Sequence, residues 1–434
     1  MRGSGRPAPC TLAVHPPPYF GFVLPLNPFT VLQRHRNFRL FWIGQTISLV
    51  GAWMQTMAQG WLALDLTDNA FLVGLVVAAG SFPVVLLSMH AGVLADRYER
   101  LRLVKICQWL FLVDAALLFA FTYTKTISIG WLLALATASG IISAVEIPAR
   151  QSLIVELVGR DDLPQAIALN SSGFNLARIL GPALGALVIG KWGMAWAFGL
   201  RPISLLAVLG GLAGVRLPPW RPSAQLVRPL EGIRESVEYM RGTPVVAALM
   251  KLVTVYSILG VPFLVLMPVF ARDRLSLDAS GYGLLLASVG IGGLVGALAL
   301  AARAGRQPGT RTLVAASYSF PSTLVVLSTV TTSGIAYALL FMAGVAMIVN
   351  GAVSNSMLQH NVPDALRGRV MAAYSFVVVG LAQTVGAFLA GVVARLLGVQ
   401  WAIALGALAM LAYAVYAFRQ PALRTAGTAA GATT

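Results

Sequence analysis

The feature that most restricts this chain is a set of twelve long apolar runs between residues 39 and 418. They fall at approximately 39–62, 71–94, 103–123, 130–154, 166–190, 194–215, 245–270, 281–302, 312–332, 334–358, 370–394 and 399–418. Each is close to the ~20 residues that a helix needs to cross the hydrocarbon of a bilayer. Backbone groups in hydrocarbon have no water to bond, so every run is expected to be helical. Only 11% of the 434 residues are charged and mean hydropathy is +0.79, whereas a soluble domain carries roughly 25% charged residues. Lipid is therefore expected to cover most of the surface, in an all-α integral membrane fold.

The net charge of +16 raises the question of a nucleic-acid partner. Such a partner needs a basic face on a folded domain. Here the basic residues sit in short clusters between apolar runs, which is the pattern of membrane topology and argues against nucleic acid. With both termini placed inside, 23 Lys and Arg fall in inside segments and five in outside loops. That bias fixes the orientation by the positive-inside rule and places the chain in the plasma (inner) membrane with both ends cytoplasmic. Arg178, Arg201 and Lys251 remain within spans. Trp42, Trp61, Trp131, Trp192, Trp196 and Trp401 fall near span ends, where amphipathic rings prefer to sit. Cys10 and Cys107 have no metal or redox spacing, so no disulfide, metal or cofactor is expected. A monomer is expected.

The longest interior polar stretch divides the chain into an N-terminal cytoplasmic extension (1–38), a six-helix bundle (39–215), a linker (216–243), a second six-helix bundle (244–418) and a tail (419–434). The extension is rich in Pro and Gly and lacks the continuous apolar core of a secretory signal. Within the linker, Pro229 to Arg241 reads as an amphipathic surface helix. Sliding the chain by about 203 residues overlays Glu156 to Leu163 on Gln359 to Leu366. An internal repeat of six-helix units is a hallmark of secondary transporters.

The loop after span two reads Gly92, Leu94, Ala95, Asp96, Arg97, Arg100 and Arg102. It resembles the G-x-L-A-D-R-x-G-R-R motif of the major facilitator superfamily, with Glu99 in place of the usual Gly or Asp. Its chemistry is readable without the family. Gly92 permits close helix contact, Asp96 suits a helix N-terminus, and Arg97 and Arg100 can pair with acids such as Glu156. Such contacts would close a cytoplasmic gate. Further stretches are similar to the enterobactin-exporter and macrolide-efflux branch. They are Asn37 to Gln45, Glu146-Ile-Pro148-Ala-Arg150-Gln151, Asn170 to Gly185, and Val362 to Val370. The likeness covers roughly residues 29 to 420; Leu200-Arg201-Pro202 departs from it. The resemblance implies two pseudo-symmetric bundles rocking around a central cavity, usually driven by proton antiport. Gly181, Pro182 and Gly185 are similar to the G-P-x-x-G signature of antiporters in that superfamily.

Physical reading of the spans supplies candidate machinery. Gln45, Ser48, Ala52, Gln55 and Gln59 recur at helical spacing, on one face of span one. That face lines either a wet cavity or a helix contact. Asn175, Tyr256, Asn350, Asn355 and Gln383 are further candidates for the substrate cavity. An ionised residue within a span is a functional candidate by default. Glu146 is the first candidate for proton coupling, with Arg178 or Arg150 as its cation, and Asp114 is the rival carboxyl. Glu146 and Arg150 are four apart on one helix face, and helix rise places Glu146 and Arg178 within about 6 Å in depth. A static structural ion pair is the alternative. Lys251 and Arg201 could pair with Asp114 or meet an anionic substrate.

These features point to a proton-coupled exporter of a small amphipathic compound, such as a drug or siderophore. An importer, a lipid flippase, a non-transporting scaffold and a membrane enzyme are the competing classes. No H-E-x-x-H, G-x-S-x-G or P-loop pattern is present, so an enzyme is not expected. Gly290, Gly292, Gly293 and Gly296 lie inside an apolar run with no following Gly-Lys-Ser/Thr, which reads as close helix packing.

Overall fold

The computed structural model describes residues 30–217, 237–303 and 309–425. Twelve long helical segments account for most of them. They are α1 (Arg36–Thr67), α2 (Ala70–Arg97), α3 (Arg100–Tyr123), α4 (Ile129–Val158), α5 (Leu163–Trp192) and α6 (Met194–Ala213) in the first half. The second half holds α7 (Pro244–Asp273), α8 (Ala279–Ala301), α9 (Thr310–Thr329), α10 (Ser333–His360), α11 (Leu366–Leu397) and α12 (Val399–Arg419). Every expected span is present, within a few residues of its expected ends except at the start of α11, where helix begins at Asp364. Eleven are long and apolar enough to cross a membrane by composition. The remaining one is α1, whose 32 residues include the polar stripe of Gln45, Ser48, Gln55 and Gln59.

With an even number of long helices, residues 30 and 425, the outermost described ones, lie on one face, here the termini face; the other is the far face. Short connections on the far face are set by local chemistry. Asn69 caps α2 through the Phe71 amide (3.0 Å), and Asp278 caps α8 through the Gly281 amide (2.8 Å). Gly193 joins α5 to α6 at φ 86°, and Gly398 joins α11 to α12 at φ 91°. Both are left-handed conformations that favour glycine, and they occupy equivalent places in the two halves.

Within the first half, α1 packs on α5 and α6, α2 on α4, and α3 on α4 and α6. The second half repeats part of this scheme, with α8 on α10, α9 on α10 and α12, and α11 on α12. The halves meet along α5 with α8 and along α2 with α11. Small residues permit these approaches, as expected where lipid supplies no hydrophobic drive between helices. An added Cβ at Gly140 would collide with the Gly80 carbonyl oxygen of α2, and one at Gly74 would lie 2.6 Å from the Ala387 carbonyl oxygen of α11.

Two helices are locally widened. Tyr256–Gly260 of α7 and Phe376–Gly386 of α11 form π-helical turns. Pro262 lacks the N–H that would bond the Ile258 carbonyl, and Gly386 of α11 lies against that carbonyl. The two widened stretches therefore pack on each other.

The termini face is tied together in the first half. The short helix Thr30–Arg34, within the expected extension, leads into His35, whose Nε2 lies 2.8 Å from Asp162 of the α4–α5 turn. Asn37 bonds the Arg216 carbonyl at 2.7 Å, where the linker begins. Residues 237–242 are helical, and the Tyr239 hydroxyl donates to the Asn361 carbonyl (3.1 Å) of the second half. The rest of the expected amphipathic linker helix, residues 1–29 of the extension, and 426–434 of the tail lie outside the described residues.

Packing of α2 on α4 sets a test. Gly140→Ala forces a shift of backbone against backbone and is expected to cost about 1–3 kcal/mol. Gly210→Ala meets nothing within 4 Å and is expected to be neutral or stabilising by up to ~1 kcal/mol through helix propensity. Thermal unfolding of both variants in detergent checks the difference.

Candidate functional site

Three helices carry polar stripes that converge. The stripe of α1 (Gln45, Ser48, Gln55, Gln59) faces Ser139, Ser143, Glu146 and Arg150 of α4, and Gln108 and Asp114 of α3, around one cavity of about 350 Å³. Thr56 of α1, Ser81 of α2 and Arg201 of α6 add to the polar lining, and Gln383 of α11 comes from the second half. Phe111 is the one aromatic residue among the lining residues. Burying polar groups in an apolar bundle is costly unless each finds a partner, so pooling them around one space is the arrangement this sequence permits.

Four ionisable groups of this lining balance one another. Glu146 is 5% exposed. Its Oε1 accepts from Arg150 Nε at 2.9 Å and from Gln108 Nε2 at 3.3 Å. Asp114 is equally buried, and its Oδ2 accepts from the Ser139 hydroxyl at 2.6 Å. Arg201 donates to the carbonyl of Ser48 and, at 2.8 Å, to its hydroxyl. Arg201 also lies within electrostatic range of both carboxylates. Two acids and two guanidiniums leave no net formal charge. Gln45 Oε1, Gln108 Oε1 and Asp114 Oδ1 are buried acceptors with no donor in the described structure.

The remaining expected site residues take other places. Arg178 does not pair with Glu146: it leaves α5 toward α8, with its Nη2 3.0 Å from where a Cβ on Gly293 would sit. Asn175 donates to the Ser171 carbonyl (2.9 Å) within α5 and is outside the cavity lining. Tyr256 donates to the Ser317 carbonyl, and Asn350 donates to the Ser317 hydroxyl at 2.7 Å, so these form a buried tie among α7, α9 and α10. Asn355 accepts from Gln359 (2.6 Å) on α10, also away from the lining. Lys251 is exposed on α7 rather than paired with Asp114.

At the expected gate, Arg100 forms an ion pair with Glu156, joining α3 to α4 on the termini face. Arg97 is exposed; the side chain of Asp96 lies outside what the structure describes, although the backbone of Gly92 and Asp96 belongs to α2. Gly181 and Gly185 bring α5 onto α1: an added Cβ at Gly181 would collide with Trp53, and one at Gly185 would lie 3.0 Å from Met57 Sδ. Pro182 is also buried, and its carbonyl lies against Gly283 of α8.

Among the described residues, close contacts between the halves include several on the far side and at mid-span. Arg272 of α7 pairs with Asp68 of the α1–α2 turn. Trp61 stacks on Tyr282 with ring centroids 5.8 Å apart, and Phe71 meets Phe388 edge-on at 5.5 Å. Further in, Gly290 lies against Ile179 and Gly380 against Val85.

Residues 25–431 match the family model described as "Transmembrane secretion effector". The chain is 27% identical to the staphyloferrin A transporter of Staphylococcus aureus over 60% of its own length and 66% of that protein. It is 26% identical to the enterobactin exporter EntS of Shigella flexneri over 79% of its own length and 81% of that protein. Its fold matches a bacterial homologue of the human lysosomal transporter Spinster, solved in an inward-facing, unoccupied conformation. That match has a TM-score of 0.69 at 14% identity and covers 92% of this chain and 97% of the other. The nucleoside transporter NupG matches with a TM-score of 0.66 at 11% identity, over 88% and 98% of the two chains.

The charge balance around the cavity predicts a coupled response. Arg201→Met removes the cation facing two buried carboxylates and is expected to cost about 3–5 kcal/mol. Adding Asp114→Asn removes one uncompensated charge, and the double variant is expected to regain about 0.5–3 kcal/mol. A double-mutant cycle on thermal unfolding in detergent measures the coupling.

Proposed function

The chain belongs to the transmembrane secretion effector family of the major facilitator superfamily, and on that premise we propose that it exports a small amphipathic compound in exchange for protons. It is a multi-pass membrane transporter. The observation that carries the finer reading is the placement of Glu146. It is a buried carboxyl in the wall of a cavity between helices, bonded by one cation and one amide. A desolvated carboxyl holds its proton more tightly, and an approaching cation releases it. Movement of Arg150 or Arg201 relative to Glu146 would change both conditions, so proton uptake and release follow the shape of the cavity. Asp114, bonded by Ser139, is the second carboxyl within reach of Arg201.

In this reading the halves 39–215 and 244–418 rock as bodies. The far face is the outer face, closed here by the Asp68–Arg272 pair and the Trp61–Tyr282 stack. The termini face is cytoplasmic, in the inner membrane, and Gly92, Asp96, Arg97, Arg100 and Glu156 form its gate. Gln45, Ser48, Gln55, Gln59 and Gln383 offer the transported compound hydrogen bonds from both halves. The unmatched acceptors of Gln45 and Gln108 favour a compound that carries N–H or O–H donors. The names of the relatives favour a siderophore. The protein works as a monomer, without cofactor and without a catalytic step.

Everted membrane vesicles loaded by respiration test the coupling with enterobactin as probe. Wild type is expected to accumulate it, and a protonophore to abolish accumulation. Glu146→Gln is expected to abolish protonophore-sensitive accumulation, and protein yield and unfolding temperature report whether the variant folds despite losing its pair with Arg150. Accumulation by Glu146→Gln at the wild-type rate and with wild-type protonophore sensitivity would remove Glu146 from the coupling. Transport indifferent to the pH gradient in wild type would favour a flippase.

A further inference from the structure

Arg178 is left out of the charge balance just described. It lies 15 residues from the start of α5 and 14 from its end, at the middle of the span. It forms no hydrogen bond or ion pair with any described residue. A guanidinium at this depth is expensive unless something compensates it. The side on which it lies is fixed by the helix itself. Leu176, Leu180 and Leu187 of α5 are 46%, 38% and 59% exposed and mark its lipid side. At 3.6 residues per turn Arg178 points away from them, toward Gly293 of α8.

The opposite wall offers it no acid. Gly293 presents bare backbone at the guanidinium, and Ile348 of α10 lies beside it. From Pro244 to Arg419 the only acids are Asp273, Asp278 and Asp364, all at helix ends or turns. Rocking of the second half therefore cannot bring a carboxylate to mid-span. In the first half, Glu146 and Asp114 are engaged with Arg150, Gln108 and Ser139. One turn from Arg178 toward the termini face, Phe174 is 43% exposed and meets Trp53 of α1 edge-on, with ring centroids 5.6 Å apart.

We infer that Arg178 and the Trp53–Phe174 pair form the subsite for an aromatic anion: the guanidinium takes an oxyanion and the two rings take the aromatic body. Arg is suited to this, because its planar fork bonds a carboxylate through two parallel N–H groups and is weakly hydrated. The subsite deepens the export reading by naming the substrate class. It rests on that reading for its role in transport, although binding itself does not depend on coupling.

Salicylate, its neutral counterpart salicylamide, and acetate are the probes, titrated to millimolar concentration against the purified full-length protein in detergent at fixed pH and ionic strength. Salicylate is expected to raise the unfolding temperature of wild type, since a ligand that binds only the folded state stabilises it. Salicylamide and acetate, each lacking one of the two recognised features, are expected to give a smaller shift. Arg178→Gln is expected to lose the salicylate shift, Arg178→Lys to keep part of it, and Phe174→Ala to reduce it. Lys251→Gln, which removes an exposed cation, is expected to keep it in full. The unfolding temperature without ligand reports whether each variant folds, and Arg178→Lys stands in if Arg178→Gln does not. No salicylate shift in wild type, an equal shift in Arg178→Gln, or an equal shift with salicylamide overturns the subsite. Because the titration contains no pH gradient, a failure of proton coupling at Glu146 would leave this result unchanged.

Discussion

The cost of placing an ionised group in hydrocarbon governs this molecule. A charge there must be matched, or must face a path that supplies its match. Around the first-half cavity the matching is internal: Glu146 with Arg150 and Gln108, Asp114 with Ser139, and Arg201 with Ser48 and the field of both acids. These groups come from α1, α3, α4 and α6, so the requirement to neutralise them also fixes how those helices face one another. The cavity is the consequence. Polar stripes cannot face lipid, and three of them brought together enclose a space with a wet wall.

The two halves share a helical plan but differ in chemistry. Equivalent glycine turns at Gly193 and Gly398 preserve the repeat. The first half concentrates charge, whereas the interior polar groups of the second include Tyr256, Ser317 and Asn350, which satisfy one another. One half thus carries the buried carboxyls and guanidiniums, and the other presents mostly apolar and glycine-lined surfaces to it. The widened turns of α7 and α11, packed through Gly386 and the Ile258 carbonyl, are where the second half departs most from regular helix. Gln383, its contribution to the cavity, stands on one of them.

Span number and approximate bounds were legible because hydrocarbon thickness acts on each run separately. The stripe of α1 was legible for a similar reason: periodicity within one helix requires no knowledge of its neighbours. The same test applied to α4 would have found Ser139 and Ser143 on the face of Glu146 and Arg150, at spacings of four, three and four. Partners across helices were not legible. Depth arithmetic brought Glu146 and Arg178 within about 6 Å, but the rotation of α5 turns Arg178 toward α8. Nothing in the order of residues links Arg201 to Ser48. The polar residues of α7 and α10 carried the same uncertainty, because a hydrogen-bonded tie and a cavity wall use the same side chains.

The central claim, that the striped face of α1 borders a water-filled cavity reached from the termini face, is tested by thiol accessibility. In a background with Cys10 and Cys107 replaced, Ala52→Cys lies in the cavity wall and Ile47→Cys lies on the exposed, lipid-facing side of α1. Water is needed to ionise a thiol for reaction. A membrane-impermeant methanethiosulfonate reagent is expected to modify Ala52→Cys in everted vesicles, to modify it far more slowly in intact cells, and to leave Ile47→Cys unreacted in both. Equal reaction of the two positions, or no reaction of Ala52→Cys from either side, would contradict the account.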